Sequence, residues 1–393
     1  MKKYNMKGGL FFMRKFFIMF VVASLLVLPI TSFAQPDNDI DVSAKGAILV
    51  DTKSGRVMFE KNADQPLPIA SVTKVMTLLL IFEELDSGNV SLDERITISE
   101  TASGMGGSQA FIDAGYSYPG EELIKSIIIA SANDCAVAMA ERISGSEEAF
   151  VAKMNKKAQE LNMSNTVFKN CTGLPENGHH SSARDVAIMS GELLKHDQYF
   201  KWGTVWINEI KHEKDGRVTE LVNTNRLIRS LQGCDGLKTG YTNEAGFCVT
   251  TTAKRGDMRL VSVILGGNTS KERFNDAAKL INYGFANYSV ENVVKVGDVV
   301  GQVALNGGVE ENVNAIAHED YSVCVKNDGT DKIETRIELP GEINAPVING
   351  QELGRLIISI NGEDDGEVIL KADKDYKKAG FFERIKRIIS FWK

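Results

Sequence analysis

The segment PIASVTKVMTLLL, residues 68–80, holds Ser71 and Lys74 three positions apart at the start of an apolar run. Apolar residues such as Val75 and Leu79 recur there at helical spacing, which predicts a helix that begins at Ser71. Positions i and i+3 share one helix face, so the two side chains would lie together. The unpaired backbone N–H groups and the positive dipole end of that helix would also face the serine oxygen.

This pair has a chemical interpretation and a structural one. A serine hydroxyl is a good nucleophile only when a base removes its proton. A lysine is such a base only when it is neutral, which requires burial or a neighbouring cation. The structural alternative is an N-cap serine beside a solvated lysine, and a Ser-x-x-Lys pair arises about once by chance in a chain of this length. The motif therefore needs support from the rest of the chain.

The flanking sequence predicts an α+β fold. GAILVDTKSGRVMFEKN, residues 46–62, is typical of a β-hairpin, and so is GFCVTTTAKRGDMRLVSVILGG, residues 246–267. Between them, residues 84–195 have a mostly helical pattern, and a last helix is expected over residues 271–288. Strands, then helices, then strands indicate helices packed on an antiparallel sheet. We expect this domain to span residues 40–288.

The N-terminus has the pattern of a secretory signal peptide. Arg14 and Lys15 precede an apolar stretch over residues 16–30, and small residues lead to Ala34. We expect residues 1–34 to be removed and the protein to be exported. The alternative is an uncleaved membrane anchor, which the short apolar run disfavours.

Two further segments follow the α+β domain. Residues 292–374 contain short alternating apolar runs separated by Gly, Asn, Asp and Pro, which predicts a small all-β module without catalytic groups. Residues 376–393 would form an amphipathic helix whose basic face suits an anionic membrane surface. Its apolar face would hold Phe381, Phe382, Ile385, Ile388, Ile389 and Trp392. The alternative is a helix packed on the β module.

Composition argues against several functions. The 393 residues carry a net charge of −7, so the whole chain is not expected to bind nucleic acid. The five cysteines show no paired spacing and are expected to be mostly buried and free. His179 and His180 are adjacent and form a poor chelate, so neither a metal nor another cofactor is expected.

Two later segments support the chemical interpretation of the first one. IIIASANDCAVAMAE places Ser131 and Asn133 between two predicted helices, and GCDGLKTGYTNEAG places Lys238, Thr239 and Gly240 at the entry to a strand. A helix cap and a turn would explain each segment alone. In this order, however, the three segments match the motif set of penicillin-binding proteins and class A β-lactamases.

Residues 40–288 resemble the low-molecular-mass penicillin-binding proteins, which are serine-type D-alanyl-D-alanine carboxypeptidases. Besides the three motifs, the resemblance rests on GGSQAF, NTVFKNCTGLP, GHHSSARD, NTNRLI and RLVSVILGG. It implies a β-lactamase/transpeptidase-like domain in which helices flank an antiparallel sheet. The β module and the C-terminal helix also match the layout of that group, whereas class A β-lactamases lack both.

The resemblance implies roles for the first two motifs. Ser71 would be the acylated nucleophile, and Lys74 would be its general base, kept neutral with the help of Lys238. Ser131 would relay a proton toward the leaving group, and Asn133 would hold the substrate amide.

The third motif would bind the substrate. Lys238 would hold the region of the terminal carboxylate, Thr239 would form a hydrogen bond to the substrate, and Gly240 would let the substrate backbone lie along the strand edge. The backbone N–H groups of the nucleophile and of Tyr241 would form an oxyanion hole. Arg273 would steer the substrate carboxylate, because a guanidinium fork matches that group.

The implied activity is removal of the terminal D-alanine from peptidoglycan stem pentapeptides at the outer face of the cytoplasmic membrane, with β-lactams as covalent inhibitors. Two residues depart from related patterns. Tyr241 stands where some relatives carry histidine, and Glu160 has the wrong spacing for the deacylating glutamate of class A β-lactamases. We therefore expect a long-lived penicilloyl-enzyme.

Several alternatives stay open at this point. A D,D-endopeptidase and a serine β-lactamase would use the same three motifs. A sensor of β-lactams or of the wall would acylate without turnover. A structural wall-binding protein would not need Lys74.

Overall fold

The computed structural model describes residues 40–382 and residue 385. The predicted signal peptide and most of the predicted C-terminal helix lie outside these residues. The α-helices are α1 (Lys74–Asp86), α2 (Glu100–Ser103), α3 (Gly120–Ala130), α4 (Asn133–Ser144), α5 (Glu147–Glu160), α6 (Ala183–Leu193), α7 (Phe200–Gly203) and α8 (Ser270–Asn287). Short 3₁₀ helices span Ala70–Thr73, Asp197–Tyr199 and Arg226–Arg229.

The α+β domain is built on a five-stranded antiparallel sheet in the order β2-β1-β9-β8-β7. Its strands, with two small pairs outside the sheet, are β1 (Gly46–Asp51), β2 (Val57–Lys61), β3 (Arg95–Thr97), β4 (Ser117–Pro119), β5 (Ile207–Lys211), β6 (Val218–Val222), β7 (Cys234–Thr242), β8 (Gly246–Arg255) and β9 (Met258–Gly267). Both predicted hairpins are confirmed, as β1–β2 and β8–β9. The strand order leaves β7, which carries the third motif, at one edge of the sheet.

Helices cover the two faces of this sheet. On β9, Leu260 faces Gly284 of α8, whereas Val261 and Val263 belong to the core on the opposite face. Successive strand residues point to opposite faces, so β9 has to be apolar almost throughout. This burial explains why β9 is apolar at nearly every position.

Helix α1 passes through the core of the α+β domain. Its residues from Lys74 to Phe82 are all buried, so the helix is enclosed on every side. The α-helix proper begins at Lys74, because Ala70–Thr73 form a tighter 3₁₀ turn before it. The predicted helix is therefore present, and Ser71 lies in the turn that leads into it.

Three features differ from the expectation. The strands β3 and β4 pair within the predominantly helical region, and β5 and β6 form a hairpin that the sequence pattern did not predict. The β module begins at Tyr288 rather than at 292, because strand β10 follows α8 without a loop. Residues 376–380 are not helical: Tyr376 and Lys378 form bridges to the β module, and helical backbone starts at Phe381.

The β module consists of a two-stranded pair, β10 with β13, and a six-stranded sheet in the order β14-β16-β17-β12-β11-β15. These strands are β10 (Tyr288–Val294), β11 (Val299–Asn306), β12 (Asn312–Ala317), β13 (Tyr321–Lys326), β14 (Ile333–Glu338), β15 (Glu342–Asn344), β16 (Glu352–Ile360) and β17 (Glu363–Ala372). The module has an apolar core of its own.

A partly buried ion pair joins the first hairpin to the β module. Arg56 Nη1 lies 2.7 Å from Asp331 Oδ2 and donates to the Cys324 carbonyl at 2.6 Å. Burial alone would raise the pKa of Asp331, but hydrogen bonds from Arg56, the Lys326 amide and Asn361 outweigh it and hold the pKa at about 2. The charged carboxylate therefore stabilises the folded state.

We expect Asp331→Asn to lower the free energy of unfolding at pH 7 by about 2 kcal/mol. The folded pKa of Asp331 lies below its unfolded value near 4, so this contribution is present above about pH 4 and is lost as pH falls toward 2. Urea titrations at pH 7 and pH 3 measure the difference, with the exposed Glu334→Gln as control. An equal loss at both pH values would contradict the assignment to the charged carboxylate.

Candidate active site

The turn that carries Ser71, residues Ala70–Thr73, connects an edge of the sheet to the buried helix. Ala70 has a left-handed backbone conformation (φ 47°), which turns the chain so that Ser71 follows directly beside strand β7. A Cβ on Gly240 would lie 2.8 Å from the Ile69 carbonyl oxygen and 2.9 Å from Ser71 N. Only glycine allows the turn and the strand to approach this closely.

Lys74 lies fully buried at the centre of the site. Its Nζ is 3.1 Å from Ser71 Oγ, 2.5 Å from Asn133 Oδ1 and 2.7 Å from the Thr172 carbonyl oxygen. Burial lowers the pKa of Lys74 to about 7, although Cys171 and Asp134 act in the opposite direction. The amine is therefore present in its neutral form near neutral pH.

The contacts of Lys74 orient its lone pair. Asn133 Nδ2 donates to the Gly106 carbonyl at 2.7 Å, which fixes the amide so that Oδ1 faces the lysine. Asn133 Oδ1 and the Thr172 carbonyl can only accept, so they take both N–H bonds of the neutral amine. The lone pair is then left for the hydroxyl of Ser71. This is the arrangement that a general base requires.

The second motif lies where two helices meet. Ser131 ends α3 in a left-handed conformation (φ 63°), and Asn133 begins α4. The Ser131 Oγ is buried and makes no hydrogen bond to any residue that the structure describes. A buried hydroxyl without a partner is costly, so this atom is available to a bound substrate or to a proton in transfer. Asn133, in contrast, has both ends of its amide occupied.

The third motif lies on strand β7, with Lys238 and Thr239 buried and Tyr241 exposed. Lys238 Nζ has no carboxylate partner among the described residues, and its one hydrogen bond, to the Thr239 carbonyl, is long at 3.4 Å. Burial lowers the pKa of Lys238 well below its usual value, and the nearby Lys74 and Arg273 lower it further. A buried amine without an acidic partner suits an anionic group of a ligand. Burial is the main cause of both lysine shifts, so the effect of Lys238 on Lys74 stays a prediction.

Arg273, on α8, lies behind the motif strand. Its Nη1 donates to the carbonyls of Gly240 at 2.8 Å and of Cys248 at 3.1 Å. Burial lowers its pKa to about 10, so the guanidinium stays charged at neutral pH. Its Nε has no hydrogen-bond partner among the residues that the structure describes. The observed contacts of Arg273 hold strands β7 and β8 through their backbone carbonyls. The expected contact of Arg273 with a substrate carboxylate stays a prediction.

One loop of the site was not recognised from the sequence. Thr172 contributes only its carbonyl oxygen to Lys74, and a backbone atom has no signature in side-chain spacing. Asn170 Oδ1 shapes this loop by accepting from the N–H groups of Thr172 and Gly173. The sequence signals for this loop were a turn-forming glycine and the family resemblance of NTVFKNCTGLP, and neither assigns the Thr172 carbonyl to Lys74.

We expect Gly173→Ala to lower the rate of acylation at least tenfold and to destabilise the protein by more than about 2 kcal/mol. A Cβ there would lie 1.9 Å from the Ala70 carbonyl oxygen, at a φ of +82°. Gly178→Ala is the matched control, since it has the same φ (+81°) but its nearest atom is Lys169 Cε at 3.5 Å. The rate of penicillin labelling and the thermal midpoint are measured for both variants. Equal values for Gly173→Ala and Gly178→Ala would contradict the close approach of Gly173 to Ala70.

All five cysteines are buried and free, as predicted for most of them. In the part of the chain that the structure describes, no three His, Cys, Asp or Glu side chains are grouped to hold a metal ion. His179 instead contacts the turn that carries Ser71, with Nε2 2.7 Å from Thr73 Oγ1. Burial lowers its pKa to about 4, so the ring is neutral at neutral pH.

Comparison with known proteins agrees with this geometry. A family model described as D-alanyl-D-alanine carboxypeptidase matches residues 31–269. The chain belongs to the D-alanyl-D-alanine carboxypeptidase family. A second model, described as the C-terminal domain of penicillin-binding protein 5, matches residues 288–378, and its start coincides with strand β10. The family resemblance of the motifs and the α+β domain followed by a β module are thereby confirmed.

Individual relatives cover most of the chain. D-alanyl-D-alanine carboxypeptidase DacF of Bacillus subtilis (strain 168) is 41% identical over 373 residues, which are 94% of this chain and 96% of the relative. The structure of penicillin-binding protein 5 from Haemophilus influenzae has a TM-score of 0.74 and 28% identity, over 87% of this chain and 99% of that one. Penicillin-binding protein D2 of Listeria monocytogenes in its ampicillin-bound form has a TM-score of 0.56 and 32% identity, over 63% of this chain and 100% of that one.

Proposed function

We propose that this member of the carboxypeptidase family removes the terminal D-alanine from peptidoglycan stem pentapeptides through an acyl-enzyme on Ser71. The observation that carries the proposal is the environment of Lys74 Nζ, where two carbonyl oxygens take its N–H bonds and the lone pair is left for Ser71. A general base oriented in this way contributes typically 10²–10⁴-fold to a reaction rate.

The proposed acylation begins when Ser71 Oγ attacks the carbonyl carbon of the penultimate D-alanine. The hydroxyl proton passes to Lys74 as the new C–O bond forms. The backbone N–H groups of Ser71 and Tyr241 would stabilise the oxyanion, a contribution of about 3 kcal/mol per donor. When the peptide C–N bond breaks, the leaving D-alanine nitrogen takes a proton from Ser131, which Lys74 replenishes. Water then hydrolyses the ester by the reverse proton path.

The terminal carboxylate of the substrate would bind beside strand β7. Lys238 and Thr239 lie on that strand, and Lys238 lacks an acidic partner among the described residues. Arg273 holds the same strand from behind through the Gly240 carbonyl and would add positive potential. Asn133 acts in this account through Lys74, since both ends of its amide are already hydrogen-bonded.

Hydrolysis of β-lactams is expected to be slow. Glu160 ends α5, is half exposed and pairs with Lys156 and Lys157, so this carboxylate is not a base for a deacylating water. This favours a long-lived penicilloyl-enzyme over a serine β-lactamase. The relative from Listeria monocytogenes was solved in ampicillin-bound and cefotaxime-bound forms, which supports β-lactam binding by this chain. Covalent inhibition would follow from the proposed acylation of Ser71.

We further propose that the protein is exported and lies on the outer face of the cytoplasmic membrane. The support is the signal-peptide pattern of residues 1–34 and the amphipathic pattern that ends the chain, both largely outside the described residues. Phe381 and Phe382, where helical backbone begins, are 73% and 84% exposed, which suits an apolar surface that meets lipid. Within the described residues, no helix is long and apolar enough to span a bilayer.

The rate of acylation should depend on the protonation of Lys74. Its pKa is lowered to about 7 by burial, and only the neutral amine above that pKa accepts the Ser71 proton. The rate should therefore rise tenfold per pH unit up to about pH 7 and level off above it. Stopped-flow labelling with a fluorescent penicillin from pH 5 to pH 9 measures this. A rate that keeps rising through pH 9 would indicate an ordinary solvated lysine.

The proposed function is tested with three substrates in parallel. We expect D-alanine release from an acylated tripeptide that ends in D-Ala-D-Ala, little cleavage of a cross-linked muropeptide dimer, and a stoichiometric, slowly released adduct with benzylpenicillin. Faster cleavage of the dimer would favour an endopeptidase, and rapid penicillin turnover would favour a β-lactamase. An adduct without any peptide cleavage would favour a sensor.

A further inference from the structure

Backbone strain identifies one more residue near the active site. Among the described residues other than glycine and asparagine, left-handed φ values occur at Ala70 (47°), Phe111 (61°) and Ser131 (63°). Such conformations cost about 1–3 kcal/mol and concentrate at functional sites. Ala70 precedes the nucleophile and Ser131 belongs to the second motif. Phe111 has no role in the proposed proton transfers, and for a bulky aromatic residue this φ is an outlier.

The surrounding structure imposes this conformation from both sides. The N–H of Ala110 donates to both carboxylate oxygens of Asp134 at 3.1 Å, and the N–H of Ile112 donates to Oδ2 at 3.2 Å. Arg217 Nη2 donates to the Phe111 carbonyl at 2.5 Å. Ala110, Ile112 and Asp134 are fully buried, whereas the Phe111 side chain is 57% exposed. The strain thus holds an apolar ring in solvent.

The loop that carries Phe111 is hydrogen-bonded to Asn133 of the second motif. Asn133 donates from its backbone N–H to the Ser108 carbonyl at 2.7 Å and from Nδ2 to the Gly106 carbonyl at 2.7 Å. The same Asn133 contacts Lys74, and its neighbour Asp134 fixes the backbone around Phe111. Two successive residues of α4 therefore position the general base and the exposed ring.

We propose that Phe111 is a specificity-determining residue that packs against the side chain of the substrate residue preceding D-Ala-D-Ala, and that it selects a long aliphatic side chain there. This inference rests on the proposed function. An aromatic ring offers a large apolar face at a low cost in conformational entropy, and that face also attracts a cation. A side chain of several methylenes with a charged end covers such a ring while its end stays in water. A methyl side chain is too short to cover it.

The test compares two peptides and three proteins. The peptides are Nα-acetyl-L-Lys-D-Ala-D-Ala and N-acetyl-L-Ala-D-Ala-D-Ala, and the proteins are the wild type, Phe111→Gly and Phe111→Tyr. Glycine adopts a positive φ without strain, so Phe111→Gly removes the ring and leaves the loop conformation allowed. We expect it to lower kcat/KM for the lysyl peptide about tenfold, chiefly through KM, and for the alanyl peptide less than twofold. Phe111→Tyr keeps the ring and should retain the preference.

Two outcomes would overturn the inference. An equal loss on both peptides would assign Phe111 a structural role in the loop, and unchanged kcat/KM on both would assign it none. Failure of the proposed function is distinguishable, because the wild type would then release D-alanine from neither peptide.

Discussion

The Ser71→Ala variant should release D-alanine at least about 10⁴-fold more slowly than the wild type and should form no covalent adduct with penicillin. Without the hydroxyl there is no atom to carry the acyl group, although Lys74 and the backbone donors remain. Release of D-alanine from a tripeptide, followed by an enzymatic D-alanine assay, measures the first effect. Labelling with a fluorescent penicillin measures the second.

A second serine variant separates catalysis from helix capping. Ser71 makes no side-chain cap in its 3₁₀ turn, whereas the Ser146 side chain caps α5 by accepting from the Ala149 N–H at 3.2 Å. Ser146→Ala should therefore lose about 1 kcal/mol of stability and keep its activity. Ser71→Ala should keep its stability and lose its activity. Full activity in Ser71→Ala would assign the nucleophile to another residue.

Replacing Lys74 with methionine should lower the rate of acylation by about 10³-fold, and raising the pH should not restore it. Methionine approximates the volume of the buried side chain but cannot accept a proton. It also leaves Asn133 Oδ1 and the Thr172 carbonyl without their donor, at a cost of about 1–3 kcal/mol for each unpaired group. Stopped-flow labelling at several pH values measures the rate.

Thr77→Val is the matched control for the hydrogen bonds that Lys74→Met loses to the loop of Thr172. Thr77 lies one turn further along α1, and its hydroxyl donates to the Cys171 carbonyl at 2.6 Å, next to Thr172. The variant removes a buried hydrogen bond to the same loop and leaves the proton path intact. It should retain acylation to within about fivefold. A loss as large as that of Lys74→Met would mean that loop position, rather than proton transfer, limits the rate.

The sequence predicted the parts of the fold that depend on local pattern. The hairpins β1–β2 and β8–β9 follow alternating apolar runs around polar turns, and α1 follows a helical period from Val75 onward. The start of the β module was misplaced at 292, because no turn signal separates α8 from β10. The hairpin β5–β6 was not predicted because most of its side chains are exposed, so that apolar and polar residues do not alternate clearly along its strands.

The site was predictable to the extent that its chemistry lies in side chains at fixed spacings. Ser71 and Lys74 meet because they are three residues apart on one helical turn. The contact of Lys74 with the Thr172 carbonyl joins positions 98 residues apart through a backbone atom, and it appears only after folding. The observed contacts of Asn133 position Lys74, and the expected contact of Asn133 with the substrate amide stays a prediction. Burial, which sets the pKa of Lys74, is likewise a property of the packed core and not of the motif.

The most direct test of the account is the site of acylation. The wild type and Ser71→Ala are incubated with benzylpenicillin. The intact mass of each protein is measured, and the labelled peptide is then identified by peptide mapping. We expect one penicilloyl group per wild-type molecule, on the peptide that contains Ser71, and none on the variant. An adduct on a different residue, or an equal adduct on Ser71→Ala, would contradict the assignment of Ser71 as the nucleophile.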